Sequence, residues 1–261
     1  MMEFPKPDSE RARQYHARGD WRDDTIPALI ERASAAAPSK IAVRDASGAA
    51  ITYGDLMQHA AAISGFLATR GVGKGDVVTA CLPNWWQTVA VFLGVQRLGA
   101  AINPVPVTYG RADLEFVLAK CQSKALFIAG RFRSVDFTET VAAMTSAEAR
   151  AIPVIRIGDG AKDIGVSLGD VLAYAPAPSA DEFSADDPAA VLFTSGTESR
   201  PKGAVHTHNT ILFGERAMAS AMHVTAQDTA FMASPISHAT GFLHGYAMTL
   251  TLGGTLSLLD V

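Results

Sequence analysis

The chain has 261 residues, of which 48% are apolar and 18% charged, and its formal net charge is -4. This composition excludes an intrinsically disordered chain and predicts a globular protein with room for one large domain or two modest ones. The sequence contains no basic tract, which argues against a nucleic-acid partner. Cys81 and Cys121 are too few for a disulfide framework, and their apolar neighbours are typical of core residues in a reducing compartment.

The N-terminal segment MMEFPKPDSERARQYHARGDWRDD is charged and lacks the apolar run of a secretory signal peptide, so we expect a cytoplasmic protein. The first long helical pattern covers residues 56–70, where Leu56, Ala60 and Ile63 recur at helical spacing. Asp55 is predicted to cap this helix and Gly71 to end it.

Strand and helix patterns then alternate along the chain. Apolar runs typical of strands buried on both faces occupy residues 76–83, 100–105, 124–130 and 152–157. Helical patterns between them cover residues 85–98, 111–120 and 138–150, and Asn84 is predicted to cap the first. This repeated β-α succession indicates an α/β fold with a mainly parallel sheet.

A break in the pattern at residues 174–188 is rich in Pro, Ala, Ser and Asp and is predicted to be a linker. It divides the chain into a first α/β subdomain with an N-terminal helix, residues 1–180, and the start of a second, residues 181–261. Residues 189–193 are the first predicted strand of that second subdomain. Its last predicted strand, residues 253–261, has no helix after it, so we expect the second subdomain to be incomplete.

Residues 229–259 contain no Asp, Glu, Lys or Arg, and about 20 apolar residues suffice to cross a bilayer. However, Pro235, His238, His244 and several glycines interrupt this stretch. Because such residues disfavour membrane insertion, no membrane span is predicted. The sequence favours a buried helix and strand that flank a site.

The segment TSGTESRPKGAVHTHN, residues 194–209, begins where the strand 189–193 ends. Ligands bind at the carboxyl ends of strands in α/β sheets, and hydroxyls and backbone N–H groups in a turn form a cradle for anions. Lys202 adds a mobile positive charge, Pro201 fixes the local φ, and Gly203 permits close backbone approach. These features predict a polyphosphate site, although the Gly-Lys-Ser/Thr order of a Walker loop is absent.

The ordered combination of Ser-Gly-Thr and Pro-Lys-Gly resembles the phosphate-binding signature of the AMP-forming adenylating enzymes. This family includes acyl-CoA synthetases, aryl-acid ligases, luciferases and peptide-synthetase adenylation domains. The chain keeps the signature's Thr194, Ser195, Gly196, Thr197, Pro201, Lys202 and Gly203. It has Glu198 and Ser199 where Thr and Gly are commonest, a change expected to stiffen the loop and to place like charge near phosphate.

The resemblance covers nearly the whole chain. Residues 21–45 are similar to the family's opening helix and first strand, and ITYGDL, GVGKGDVV and VQRLGAAINPVPVTY follow in the family's order. SPISHATGFLHG, residues 234–245, resembles the next motif, in which an aromatic residue or His lines the acyl pocket. The segment YHARGDW near the start of the chain is similar to sequences of aryl-acid and alicyclic-acid ligases. The fold implied is the N-terminal part of the family's large domain, with two βα-repeat subdomains and mainly parallel sheets.

The resemblance implies that a carboxylate attacks the α-phosphate of ATP to give an acyl-adenylate and pyrophosphate. A thiol, usually that of CoA, then takes the acyl group. Positioning and charge stabilisation are the protein's main tasks in such a reaction. His238 is implied as a wall or gate of the acid site, with Gly241 leaving room there. The residues implied in binding the ATP phosphates are Thr194, Ser195, Gly196, Thr197, Lys202 and Gly203.

Other parts of the family pattern normally follow the segments found here: the adenine and magnesium motifs, the ribose-binding aspartate, the hinge and the mobile C-terminal domain with its adenylation lysine. Mg2+ should bridge the phosphates, but its usual carboxylate is expected downstream, so no catalytic or metal-binding residue is assigned. We therefore expect roughly half of an enzyme, inactive alone. An apolar face left for the other half would favour homodimers. The small-molecule partners implied are a carboxylic acid of open identity, ATP and CoA.

Other readings of the sequence stay open. Ser199-Arg-Pro-Lys202 matches the Ser-x-x-Lys pattern of penicillin-binding serine hydrolases, although Pro201 disfavours the helical turn that the pattern needs. The chain could instead bind a nucleotide or an acyl group without catalysis. It could also belong to an aryl-acid AMP ligase that loads a carrier-protein thiol.

A zinc site is a further alternative. His206 and His208 are two residues apart and would share one face of a strand. Structural zinc usually combines Cys and His at characteristic spacings, and neither histidine has a cysteine nearby. The additional candidate ligands are His223, His238 and His244.

Overall fold

The computed structural model describes residues 3–5, 8–180, 183–194 and 201–260. The strands are β1 (Ile41–Arg44), β2 (Ala50–Thr52), β3 (Val77–Cys81), β4 (Ala101–Val105), β5 (Ala125–Ala129), β6 (Arg131–Phe132), β7 (Val135–Asp136), β8 (Val154–Ile157), β9 (Val166–Ser167), β10 (Pro188–Thr194), β11 (Lys202–Thr207), β12 (Thr229–Met232) and β13 (Thr255–Leu258). The helices are α1 (Ser9–Ala17), α2 (Ile26–Ala36), α3 (Tyr53–Thr69), α4 (Trp86–Gln96), α5 (Arg111–Cys121), α6 (Phe137–Ala142), α7 (Ala147–Ala151), α8 (Leu168–Leu172), α9 (His208–Met222), the π-helix Gly241–Met248 and α10 (Thr249–Thr251).

A seven-stranded sheet has the strand order β11-β10-β4-β3-β5-β8-β9. Every neighbouring pair in it is parallel except β10 and β11. Every residue of β3, β4 and β5 is buried. Strands covered on both faces need apolar side chains throughout, which is why these three read as uninterrupted apolar runs. The predicted α/β class with a mainly parallel sheet is confirmed.

A second sheet of four strands has the order β12-β13-β1-β2, and β1 runs parallel to β13. Strands from both sides of residue 180 therefore pair in both sheets, since β10 also pairs with β4. The predicted linker packs against the first part of the chain: Ala177 N donates to Ala61 O, and Ala180 N donates to Arg97 O. The division into subdomains at residue 180 stays a prediction, but residues 174–180 are not a free tether.

The π-helix is fastened to α4 by aromatic and polar contacts. The ring of Phe92 lies 5.5 Å from the rings of both Phe242 and Tyr246. The Tyr246 hydroxyl donates to Gln96 Oε1 at 2.7 Å, and Gln96 Nε2 donates to Ala189 O of β10 at 3.0 Å. All of these side chains are buried, so one core joins the π-helix to the strand that leads into residues 194–209.

Two predicted helix caps are wrong. Thr52 caps α3, and Asp55 is the third helical residue, whose carboxylate accepts a hydrogen bond from Thr52 N in a capping box. Trp85, not Asn84, occupies the cap position of α4 and makes no side-chain cap bond. Asp45 Oδ2 accepts a hydrogen bond from Trp86 N at 3.0 Å and so satisfies that helix end from a distance.

The single helix predicted at residues 138–150 is also wrong, because the segment forms the two short helices α6 and α7. Glu115 of α5 accepts hydrogen bonds from Thr145 N and from Ser146 N, the latter at 2.9 Å. These backbone groups are therefore turned away from a continuous helix. Ser146 then caps α7, since its side chain accepts from Ala149 N.

The uncharged stretch 229–259 consists of β12, the π-helix, α10 and β13. Among the residues that the structure describes, no helix combines the length and the apolar character needed to cross a bilayer. Cys81 and Cys121 are both buried and unpaired, as the sequence predicts for core residues.

Candidate functional site

Within the described residues, the predicted phosphate segment consists of Thr194, Pro201, strand β11 and the first residues of α9. β10 and β11 pair antiparallel at one edge of the seven-stranded sheet, and Thr194 stands opposite Lys202. Both residues are exposed, and Thr194 Oγ1 donates to Lys202 O at 3.4 Å. Because β10 runs parallel to β4, the end of β10 and the start of β11 lie at the same edge as the carboxyl ends of the central strands.

Ser195, Gly196 and Thr197, the other predicted phosphate ligands, lie outside the described residues, as do Glu198 and Ser199. The Ser-x-x-Lys alternative depends on Ser199 and so also falls outside them. Of the six predicted phosphate residues, the structure places Thr194, Lys202 and Gly203 together at the mouth of the hairpin. Lys202 is the first residue of β11 and is not part of a loop.

Gly203 stands opposite Phe193 across the hairpin. A Cβ atom at residue 203 would lie 3.0 Å from Val191 Cγ1 and 3.3 Å from Phe193 Cζ. The Phe193 ring in turn meets Phe116 edge-on, with ring centroids 6.4 Å apart. Packing against these side chains is thus one reason for a glycine here, and its contact with phosphate stays a prediction.

The two histidines of the zinc alternative do not share a strand face. β11 ends at Thr207, and His208 is the first residue of α9. His208 is buried, and its Nδ1 accepts a hydrogen bond from Ile26 N at 3.2 Å. Within the described ranges, no three His, Cys, Asp or Glu side chains come together as metal ligands.

Burial lowers the pKa of His208 to about 4 from its ordinary value of 6.5. Between these values the unfolded chain binds a proton that the folded chain excludes, so stability rises with pH. We expect this residue's contribution to be complete above pH 6.5 and to be lost as pH falls toward 4, by about 3 kcal/mol in total. Thermal unfolding from pH 4 to 7 measures the slope, and His208→Gln, which cannot titrate, should flatten it. An equal slope in that variant would contradict the assignment.

His238 lies in an exposed turn after β12, four residues beyond Ser234. His238 N donates to Pro235 O, and Phe242 N donates to His238 O, both at 2.9 Å. A Cβ atom at Gly241 would lie 2.3 Å from Pro235 O and 2.7 Å from Ile236 Cα. Gly241 therefore lets the helix start pack on the preceding backbone, and its predicted role in making room for substrate stays untested.

The helix that follows His238 is a π-helix over Gly241–Met248. π-Helices are rare in proteins, and those that do occur are often found at functional sites. Its wider turn brings His244 Nδ1 to 2.8 Å from Glu215 Oε2 on α9, and this glutamate is buried. Neither the π-helix nor this pair is predicted by the sequence, because an i→i+5 ladder has no established sequence pattern.

A cavity of about 410 Å³ opens beside the π-helix, between the second half of α9 and β12. Its lining is mostly apolar, and methionines supply much of it. The lining residues are Met218, Met222, His223, Val224, Thr225, Asp228, Thr229, Ala230, Phe231, Met232, His244, Met248, Thr249 and Gly254. Met218 and Met222 lie one helical turn apart on α9, and this spacing is a sequence signal that could have indicated the cavity.

Asp228 gives the cavity a charged end. Thr225 N donates to Asp228 Oδ2 at 2.7 Å and the Thr225 hydroxyl at 2.9 Å, and these hydrogen bonds lower the pKa of Asp228. The carboxylate directly precedes β12, whereas His238 follows the other end of that strand. His238 is not among the residues that line the cavity, and an anionic group in the cavity would be repelled at the Asp228 end.

Asn84 is predicted from the sequence to cap a helix, but its side chain makes other contacts in the structure. It lies directly beyond β3 and is buried. Its Oδ1 accepts a hydrogen bond from Ile236 N at 2.7 Å, and its Nδ2 donates to Ser234 O at 3.0 Å and Leu259 O at 2.9 Å. One side chain thus joins the end of β3 to the segments that follow β12 and β13.

Comparisons with known proteins agree with this architecture. A family model described as AMP-binding enzyme matches residues 30–261. The chain is 32% identical over 254 residues to a medium-chain fatty-acid–CoA ligase of Escherichia coli (strain K12), covering 97% of this chain and 45% of that protein.

Two solved structures show the same fold. Mycobacterium smegmatis MbtA in its apo form has a TM-score of 0.85 and 28% identity, over 98% of this chain and 47% of that one. ATP-bound MatB from Rhodopseudomonas palustris has a TM-score of 0.74 and 25% identity, over 90% and 45%. The chain spans about half the length of each of these three proteins.

Proposed function

Because the chain belongs to the AMP-binding enzyme family, we propose that it is the N-terminal part of a cytoplasmic, ATP-dependent carboxylic acid–CoA ligase. In the proposed reaction a carboxylate oxygen attacks the α-phosphorus of ATP and expels pyrophosphate. The CoA sulfur then attacks the acyl carbon and expels AMP. The similarity to the fatty-acid–CoA ligase of Escherichia coli supports this class of reaction.

The single observation that carries the proposal is the hairpin mouth, where the exposed Lys202 and Thr194 stand opposite each other at the ligand-binding edge of the sheet. An ammonium group and a hydroxyl there suit the phosphate chain of ATP. We assign Ser195, Gly196, Thr197 and Gly203 to the same task. Their roles are to hold and orient the phosphates so that the α-phosphorus faces the carboxylate.

Among the described residues, no three His, Cys, Asp or Glu side chains come together that could hold a Mg2+ ion without the phosphates of ATP. No step is therefore assigned to the metal on this chain. Any ion that accompanies ATP would be held by the phosphates and by residues outside the described ranges.

For the acid, we propose that its hydrocarbon part occupies the cavity beside the π-helix, with the carboxylate toward His238. A volume of about 410 Å³ suits a small apolar ligand. Methionine side chains adapt their shape to flexible alkyl groups. The ionised Asp228 at the far end disfavours the opposite orientation.

Met218→Trp is expected to reduce the activity of the complete ligase with long-chain acids more than with short-chain acids. Met218 lines the cavity from its exposed side, so a larger ring can fill space there with little cost to the fold. Each buried methylene contributes about 0.8 kcal/mol, so we expect kcat/KM for a ten-carbon acid to fall by about tenfold or more relative to a four-carbon acid. Phe213→Trp on the same helix, outside the cavity lining, is the control and should leave the ratio unchanged. If the ratio of kcat/KM for the two acids is the same in both variants, the acid does not bind in this cavity.

The direct test of the function is pyrophosphate release by the complete ligase with ATP and a panel of carboxylic acids, followed by thioester formation with CoA. We expect turnover with at least one acid and none from the 261-residue chain alone. Acyl-adenylate formed by this chain alone would overturn the second expectation. Acyl transfer to a carrier-protein thiol in place of CoA would identify the second candidate, an AMP ligase that loads a carrier protein.

A further candidate is a nucleotide- or acyl-binding module without catalysis, favoured by the chain's length of about half that of its relatives. Calorimetry of the chain with ATP and with a fatty acid would separate binding from turnover. Phe231 is 65% exposed and Met222 62% exposed. These apolar groups support the proposal that the chain forms homodimers, which sedimentation equilibrium would test.

A further inference from the structure

The side chain of Asn84 makes three hydrogen bonds, and all of them reach sequence-distant backbone. Two of its partners, Ser234 O and Ile236 N, belong to the turn that leads to His238, and the third, Leu259 O, follows β13. Asn84 itself is 4% exposed, so water does not compete for these bonds. The two donors and one acceptor that they require are supplied together by an amide side chain.

The turn is held from its other side by the start of the π-helix. Gly241 packs against Pro235 O and Ile236 Cα, leaving no space for a side chain. Pro235 O also accepts the hydrogen bond from His238 N at 2.9 Å. The backbone at residues 235 and 236 is therefore fixed between Asn84 and Gly241, and its position determines where His238 stands.

A role in helix capping does not account for Asn84. The helix end beside it is satisfied by Asp45, which accepts from Trp86 N. A general role in stability does not account for the choice of partners, because all three lie on segments that follow the carboxyl ends of β12 and β13, the end at which His238 also lies.

We propose that Asn84 is a positioning residue for the acid site: through Ser234 and Ile236 it sets the place of His238, and so controls binding of the acid but not of ATP. This inference rests on the proposed ligase function. Asn84 touches no reacting atom in the proposal, since it acts through the turn.

The structural part is tested on the 261-residue chain by hydrogen exchange. In Asn84→Leu the Ile236 amide loses its acceptor, so we expect its exchange to become at least about tenfold faster. Asn103→Leu is the matched control, because Asn103 is equally buried but donates to Thr79 Oγ1 within the sheet. Unchanged Ile236 exchange in Asn84→Leu, or equal acceleration in both variants, would overturn the positioning role.

The functional part is tested on the complete ligase. We expect Asn84→Leu to raise the KM for the acid about tenfold while the KM for ATP stays within about twofold, and Asn103→Leu to move neither. Asn84→Asp keeps the size and the acceptor but sets a carboxylate against two carbonyls, and it should show the same split if Asn84→Leu does not fold. Normal wild-type turnover with unchanged or equally raised KM values in the Asn84 variants would overturn this proposal alone. A wild-type ligase that releases no pyrophosphate with any acid would instead overturn the proposed function.

Discussion

Replacing Lys202 with alanine is expected to slow acyl-adenylate formation by the complete ligase by about 100-fold. Lys202 stands exposed at the mouth of the hairpin, opposite Thr194. In the proposed reaction negative charge moves onto the departing pyrophosphate, and an ammonium group placed there stabilises that charge more than it stabilises bound ATP. The loss should therefore appear mainly in kcat.

The measurement is the single-turnover rate of acyl-adenylate formation at saturating ATP and acid. Lys120→Ala removes another exposed lysine, in the last turn of α5, and serves as the control for the loss of one positive charge. We expect Lys202→Arg to recover part of the rate, since it keeps the charge but not the geometry. Wild-type rates in Lys202→Ala would remove the hairpin from the ATP site.

Gly241→Ala is expected to destabilise the fold by about 1–3 kcal/mol or more, because the added Cβ would lie 2.3 Å from Pro235 O. The atoms nearest to this Cβ position are backbone atoms of Pro235 and Ile236, so relief requires movement of the whole turn. The same movement would displace His238, whose N–H donates to Pro235 O. We therefore expect a lower Tm together with a higher KM for the acid.

Gly214→Ala is the matched control for this substitution. Gly214 lies within α9, and a Cβ atom there would meet nothing within 4 Å. Alanine favours a helix over glycine by about 1 kcal/mol, which corresponds to a rise in Tm of about 2–4 °C for a protein of this size. Tm shifts of the same sign in both variants would mean that the close approach at Pro235 does not decide the outcome.

The central strands were readable from the sequence because burial on both faces selects apolar residues at every position. β3, β4, β5 and β8 all lie inside the predicted runs. The ends of the helices were predicted less accurately. Asp55 and Asn84 both stand near helix starts, but Thr52 precedes Asp55 by three residues and takes the cap. Side-chain propensity alone does not reveal which of two suitable residues occupies the cap position.

The candidate site was predictable in part. Thr194 and Lys202 lie opposite each other at the carboxyl edge of the sheet, next to the predicted strand 189–193, and their role in binding phosphate stays a prediction. The cavity beside the π-helix and the three contacts of Asn84 depend on segments that lie far apart in the sequence. Such contacts follow from the order of strands in the two sheets, and no local pattern specifies that order. His208 shows the same limit, since its partner Ile26 belongs to α2.

The pairing of β1 with β13 has a kinetic consequence. Ile41 and Thr255 are hydrogen-bonded although 214 residues separate them, so closing this contact carries a large loss of chain entropy. At about 5–20 residues per second, a ribosome needs on the order of 10–40 s to deliver the partner of β1. During that time we expect β1 and β2 to lack the partner of β1, and isolated two-stranded hairpins with an open edge are marginal in water and prone to pair with other chains. Synthesis at reduced temperature or with added chaperones should therefore raise the soluble yield of this protein.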